Sequence, residues 1–556
     1  MAFEITRRRA LFGLSGAAFL AQMKVRTAFA DDSEVTPFAQ GIASGDPDPT
    51  SVVLWTRIAP TLNATTVDWE IASDAEFDHI TGGGTVTTDA DRDFTIKLVA
   101  ADLKPGKTYY YRFTVNGITS PTGRTRTLPV GRLDRLGLAL ASCSNYPFGH
   151  FNAYDAIAKD EQIDYVVHLG DYIYEYGPAG YGGQIGAEIG RPHAPDREIV
   201  SLDDYRERHA QYKSDPGSRA MHAAHALIAI WDDHESANNP WMEGAQNHQS
   251  NAEGDWGERR AASLKAYYEW MPVRDPQAGG SREEYWRHYE FADLASLITL
   301  ETRHTGRSRQ IDYNDHLLDL ETTEDARRFR QEVLGATQRR MLSRDNVRFV
   351  ETALRESLAA GRPWRLIGNQ VPLARIDVPR LDEPAFNDPN RDPDDAVSRA
   401  LARLTRLGEL ALPIYIDCWD GYPAARERFY RSCTAAGATD LLVLTGDTHA
   451  FWANSLFTDA GAAMGVEIGT AGVTSPGDFE GGGAEISSRM DILLAQHNKE
   501  VVWTDNRHRG YVRLVLTRDQ ATADVVTVSH VDQPDYAQRV LKTLRIAKAG
   551  QSLQYV

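Results

Sequence analysis

The stretch His168-Leu169-Gly170-Asp171-Tyr172-Ile173-Tyr174-Glu175-Tyr176 turns a buried apolar strand into a row of oxygen ligands within a few residues. Tyr165-Val166-Val167 with Leu169 reads as a short strand covered on both faces, and Gly170 lets the backbone turn sharply after it. Asp171 then stands at the strand's carboxyl end. Three other apolar runs end the same way: Leu138-Ala139-Leu140 in Ala141-Ser142-Cys143-Ser144-Asn145, Leu227 to Ile230 in Trp231-Asp232-Asp233-His234-Glu235, and Leu441 to Leu444 in Thr445-Gly446-Asp447-Thr448-His449. In open α/β sheets ligands gather beyond the carboxyl ends of strands, so four such ends supplying Cys, Asp, Tyr and His predict one shared metal site.

The chain has 556 residues, which predicts two domains, and a formal net charge of -18. That charge argues against a nucleic-acid backbone as partner, because phosphate binding on that scale needs dense cationic surface. A small anion remains compatible if metal ions supply local positive charge. The N-terminus reads as a leader over residues 1–30: Thr6-Arg7-Arg8-Arg9-Ala10-Leu11, an apolar stretch from Leu11 to Ala21, then Ala28-Phe29-Ala30 as a small-x-small cleavage site. It has the form of a twin-arginine signal, the alternative being an ordinary secretory signal with three arginines. Export by the twin-arginine machinery would place the protein in the periplasm or outside the cell. No later stretch reaches the length of about 18 apolar residues that a transmembrane helix needs. Three cysteines make no disulfide framework; Cys143 falls in the expected site, and Cys418 and Cys433 either pair or remain free and buried.

From about Ser33 to Leu128 short strands alternate with turns, over Ser51–Arg57, Thr66–Ala72, Phe94–Leu98 and Thr108–Val115. An all-β sandwich fits this spacing, and the segment over residues 31–130 resembles a fibronectin type III-like module, read as a packing partner in preference to a lid. From Leu136 strands alternate with helices, the first helix burying Phe151, Tyr154, Ile157 and Ala158 on one face, and an α/β domain over 131–556 follows. Helices are also expected over Asp203–Tyr212 and Ser218–Ala226, and late strands over Val466–Thr470, Gly510–Leu516 and Ala521–Thr527, closing the second sheet antiparallel. The glycine-rich segment Glu175–Arg197 reads as a mobile rim loop, and His304–Asp325 and Pro379–Asp395 as surface insertions or lids.

The ligand types suggest two cations. Asp171 is the natural bridge, and a phenolate from Tyr174 with a thiolate from Cys143 favours a hard, highly charged iron, within reach of His449. Asp233 and Asp447, joined by Asn238, form an oxygen-rich set that suits Ca²⁺.

Taken in order, Ser142-Cys143-Ser144-Asn145, Gly170-Asp171-Tyr172-Ile173-Tyr174-Glu175, Trp231-Asp232-Asp233-His234-Glu235 with Asn238, Asp417-Cys418-Trp419-Asp420-Gly421-Tyr422 and Gly446-Asp447-Thr448-His449 resemble the motifs of PhoD-type alkaline phosphatases. These belong to the calcineurin-like metallophosphoesterase superfamily and are similar in site design to purple acid phosphatases. The resemblance extends to Val473-Thr474-Ser475-Pro476-Gly477 and His508-Arg509-Gly510-Tyr511. It implies a four-layer αββα domain and Fe³⁺ held by Cys143, Asp171, Tyr174 and His449. It further implies Ca²⁺ held by Asp171, Asp233, Asp447 and Asn238, and His234 facing the leaving group. The family's Asp-Thr-Arg appears as Glu301-Thr302-Arg303, with Arg303 the implied phosphate contact. His234 either donates the proton or orients a neighbour. Asp420 and Arg426 are expected to brace their loop, and His168 to be a packed core histidine. The expected activity is hydrolysis of phosphate monoesters, diesters or both by metal-activated hydroxide, in a monomeric enzyme. A phospholipase D-like diesterase and a non-catalytic binding protein are the alternatives.

Overall fold

The computed structural model describes residues 36–388 and 391–556, so the leader lies outside the described residues. Three of the four expected strands, Arg135–Ala141, Tyr165–His168 and Ala226–Ala229, run parallel at the centre of a ten-stranded sheet. The register pairs Tyr165 with Leu138 and Val167 with Leu140. Alternate residues therefore face opposite ways: Leu138, Leu140, Tyr165 and Val167 point between two sheets, while Ala139 and Val166 point to helices.

The fourth strand, Leu441–Thr445, belongs to a separate seven-stranded sheet, parallel to Trp364–Gly368 and Ala463–Gly469. Its residues Leu442 and Leu444 join Leu297, Leu366, Val466 and Ile468 in the core shared with the first sheet. Leu441 and Val443 face outward onto Val350, Leu354 and Phe429 of two helices, Arg344–Ala359 and Pro423–Ala435. Asn152–Ala158, Leu202–Ser214, Pro216–Ala224 and Trp256–Trp270 cover the outer face of the first sheet. The order is helix, sheet, sheet, helix.

The hairpin Arg509–Thr517 and Gln520–Val528 does not close the second sheet as expected; it pairs antiparallel with Arg135–Ala141 and extends the first. Leu514 and Leu516 supply apolar side chains to the interior between the sheets from that edge. The second sheet closes antiparallel through Phe451–Phe457 and Val501–Asp505 instead.

The N-terminal strands form two layers around Val52, Leu54, Ile71, Tyr111 and Phe113. One layer comprises Ile80–Thr88, Thr65–Ala72, Thr108–Val115, Ile118–Thr119 and Gly123–Arg126. The other, Ile42–Gly45, Val52–Arg57 and Thr95–Ala100, is continuous with the ten-stranded sheet, because Ser44 and Gly45 pair in parallel with Ala226 and Leu227. Trp55 fixes the junction: its Nε1 donates to Glu269 O at 2.8 Å and its ring lies 5.6 Å from that of Trp270.

Candidate metal centre

Gly170 makes the turn that brings the strand ends together. Its φ is +105°, and a Cβ there would lie 2.3 Å from Cβ of Asp232. Backbone strain continues into the candidate ligands: Cys143, Asp171, Asp447 and His449 all have left-handed φ angles, between 51° and 67° like the neighbouring Asn239. Each such residue costs about 1–3 kcal/mol and persists only where the surroundings over-determine it.

The buried Glu235 supplies part of that determination, its carboxylate accepting from the backbone N–H of Asp171 (3.2 Å), Tyr172 (2.6 Å) and Asp232 (2.8 Å). Glu301 does the same across the second sheet, accepting from the N–H of Arg303, His304 and Thr305.

Cys143, Asp171 and His449 each offer a ligand atom, all within 4.8 Å of one another. Tyr174 completes this group, its hydroxyl 3.1 Å from Asp171 Oδ2 and 3.3 Å from His449 Nε2. Ser475 Oγ donates to the same hydroxyl at 2.9 Å. His449 Nδ1 lies 2.9 Å from Pro476 O, so it carries the proton and leaves the Nε2 lone pair facing the cluster. Burial pushes that imidazole down to about 3, keeping it neutral.

A second group comprises Asp171, Asp233 and His234, a third Asp232, Asp233 and Asp447, and a fourth Asp417, Cys418 and Asp447. Arg303, fully buried, lies among them: Nε donates to Asp232 Oδ1 at 2.5 Å, one Nη to Asp447 Oδ1 at 2.9 Å and the other to Asn239 Oδ1 at 3.2 Å. The guanidinium is thus committed to carboxylates and an amide. Asn239 borders this group, its backbone N–H donating to Asp233 Oδ2 at 2.9 Å, while the side-chain amides of Asn238 and Asn239 both donate to Gln246 Oε1.

His234 is held from behind. Its Nδ1 lies 2.7 Å from Glu175 Oε2, and its ring stacks on Tyr174 with centroids 4.2 Å apart. Glu175 is itself fixed by the N–H of Asn238 and the amide of Asn247. Burial works against a charged imidazole, but Asp233, Glu175 and Asp171 outweigh it and raise His234 well above the ordinary range.

The donor set fits cations. Asp232 Oδ2 and Asp233 Oδ1 are buried with no hydrogen-bond partner. Burial and the charge of Asp171 push the Cys143 thiol and the Tyr174 phenol up, and burial and Asp233 do the same to Asp171. These groups can ionise together only beside added positive charge, and cation binding would release their protons.

Sequence reasoning had singled out Cys143, Asp171, Tyr174, Asp233, His234, Asp447 and His449, and the structure gathers them. Asp232, Glu175, Glu235 and Asp417 were quoted within motifs without a role in the site; the first three are acidic neighbours of residues that had one, whereas Asp417 comes from a motif given no ligand. Asp420 accepts from Arg426 at 2.6 Å and from Ile376 N–H, as a loop brace would. His168 packs in the core with Nε2 2.6 Å from Tyr154 Oη. Cys143, Cys418 and Cys433 are all free thiols. Among the described residues no helix is long and apolar enough to cross a membrane.

Two helix-covered sheets whose strand ends converge on acids, imidazoles, a phenol and a thiol define an α/β protein with a metal-ligating centre. The family profile described as PhoD-like phosphatase matches residues 138–525, and that of the PhoD-like phosphatase N-terminal domain matches residues 24–129. Alkaline phosphatase D of Bacillus subtilis (strain 168) is 35% identical over 517 residues, covering 90% of this chain and 79% of that protein. A solved structure of PhoD superposes with a TM-score of 0.74 at 30% identity, covering 95% of this chain and 93% of the other. The chain belongs to the PhoD-like phosphatase family and is a hydrolase acting on phosphoester bonds.

Proposed function

We propose that this phosphoesterase is exported and hydrolyses small phosphate monoesters, diesters or both with Fe³⁺ and Ca²⁺. The observation that carries the proposal is the convergence of a thiol, a phenol, a neutral imidazole and a carboxylate on one point, beside a second cluster made almost wholly of oxygen donors. Cys143, Asp171, Tyr174 and His449 would hold iron, since a phenolate and a thiolate together with a carboxylate and an imidazole favour it over zinc or magnesium. Asp171, Asp233 and Asp447 would hold calcium, with Asn238 as the further oxygen donor that the resemblance implies. The bound cations would supply an activated water and neutralise charge growing on the phosphoryl oxygens. Export rests on the twin-arginine pattern of residues 6–30.

The chain's own contribution lies in placing protons and charges. Glu175 holds Nδ1 of His234, so the proton available for transfer is the one on Nε2, 3.9 Å from Asp233 Oδ2 and facing the acid cluster. That proton passes to the leaving alkoxide. Arg303 fixes Asp232 and Asp447 and offsets their repulsion, and from there it would serve as the phosphate contact that the resemblance implies.

Metal analysis of the natively exported protein, with turnover of a paired monoester and diester, tests this reading. Iron and calcium are expected in the purified enzyme. EGTA should abolish turnover, calcium should restore it, and iron should stay in place throughout. A fully active protein containing only zinc would overturn both metal assignments.

A further inference from the structure

On the outer face of the second sheet, away from the strand ends, the helices Arg344–Ala359 and Pro423–Ala435 frame a groove of about 1010 Å³. Beneath it lie the buried side chains of Met341, Leu342, Trp419 and Phe429; Val347 and Ala435 add accessible carbon surface, beside the polar Thr337 and Ser432. Trp419 turns its indole N–H inward, towards Asn369 Oδ1 at 3.4 Å, so it offers the groove carbon surface only. The rim is cationic: Arg340, Arg344, Arg348, Arg428 and Arg431 line it against a single acid, Glu351.

The chain as a whole has 78 acidic and 60 basic residues, so this rim reverses the molecule's prevailing charge. Its charges are also largely uncommitted. Glu351 is paired with Arg355 outside the groove, and Arg348 with Asp345. Arg428 donates to the backbone carbonyls of Thr337 and Arg339. The side chains of Arg340, Arg344 and Arg431 form no hydrogen bond or ion pair among the described residues. Burial, then the charges of Arg431 and Arg340, push the Arg428 guanidinium down, as expected where like charges crowd without a counter-ion.

We infer that this groove binds a single-chain lipid anion, a fatty-acid carboxylate, with its acyl chain on the Met341–Phe429 floor and its headgroup among the rim arginines. The volume is at the upper end of the range for small-molecule sites, about 300–1,000 Å³, and such sites are mostly apolar with a few polar groups fixing orientation. The apolar side chains between the two helices suit a saturated chain better than a nucleobase, whose edges each need a polar partner. The guanidiniums at the rim suit a carboxylate, which they can bind through two parallel hydrogen bonds.

Calorimetric titration of the full chain with dodecanoate, held below its micelle concentration, tests this directly. One site is expected, with little or no heat from dodecyltrimethylammonium or from inorganic phosphate. Arg340→Glu combined with Arg431→Glu should weaken dodecanoate at least tenfold, and Val347→Trp, which fills the groove between the helices, should do the same. Phosphoester hydrolysis should be unchanged in both variants, since none of these residues reaches the metal centre. Equal binding of the cationic amphiphile, undiminished binding by the charge-reversed variant, or binding only of an acidic amphipathic peptide would each overturn the assignment, the last in favour of a protein partner.

Discussion

His234 has one nitrogen tied to Glu175 and the other facing the carboxylates, which is how a proton donor is held. Replacing it with alanine should lower turnover by about 10²- to 10⁴-fold with both metals still bound, as loss of a general acid does. The loss should shrink for esters with acidic leaving groups, which depart without protonation, and an equal loss across leaving groups would rule the donor role out. Tyr174 and Cys143 carry a different signature. A phenolate or thiolate on ferric iron transfers charge in visible light, so the purified protein should be tinted. Tyr174→Phe and Cys143→Ser should each shift or bleach the band and weaken iron retention. A colourless enzyme of full activity would remove both from the ligand set. These residues were legible because ligand chemistry is written in residue type and order. Which member of an adjacent pair meets Arg303 was not: Asn239 has φ 51° and its Oδ1 accepts from Arg303, while the amides of both Asn238 and Asn239 donate to Gln246. The contacts of Arg303 were equally hidden, because its partners come from strand ends of the other sheet and from Asp447.

At the level of the element, the site depends on how sharply each strand stops. Gly170→Ala would place a methyl group 2.3 Å from Asp232 in a backbone region costly for alanine, so it should destabilise the fold by about 3 kcal/mol or more. It should also lower metal occupancy, because Asp171 and Asp232 would be driven apart. Denaturant unfolding and metal content measure the two effects, and wild-type values for both would show that the turn tolerates a side chain. The strands behind this turn were readable from apolar runs bounded by turn residues, and most boundaries agree within a few residues. Ile80–Thr88 was not, because Gly82-Gly83-Gly84 reads as a turn. In the fold these glycines lie flat against a neighbouring strand, where a Cβ on Gly83 would meet Trp69 O at 2.9 Å and one on Gly84 would meet the Trp69 indole at 3.3 Å. The late hairpin from Arg509 to Val528 was recognised but assigned to the wrong sheet, since local alternation reports a strand without reporting its partner.

Considered as a whole, the molecule has one sheet that crosses the point where its composition changes and the two family profiles meet. The shift from β-rich to mixed sequence near Leu136 is real, yet Ile42–Gly45 pairs with Ala226–Ala229, the strand that leads to Asp233. Deleting residues 36–130 would leave that strand as an exposed edge and uncover Trp270, so the remaining chain should be insoluble or inactive. Soluble, active protein from such a truncation would show that the shared sheet is dispensable.

The same strand order sets a constraint in time. The ten-stranded sheet takes one flank from residues 42–100 and the other from residues 509–555, with the three ligand-bearing strands between them. Its pairings span hundreds of residues, and such non-local contacts form slowly because the loops they close must be ordered first. A chain still being synthesised can hold Cys143, Asp171 and Asp233 on adjacent strands while the edge beside Arg135–Ala141 stays open. Only when the last fifty residues arrive does that edge find its partner. The strand that leads to Cys143 thus gains its second neighbour from the far end of the chain, which ties the setting of the metal centre to a pairing across more than three hundred residues.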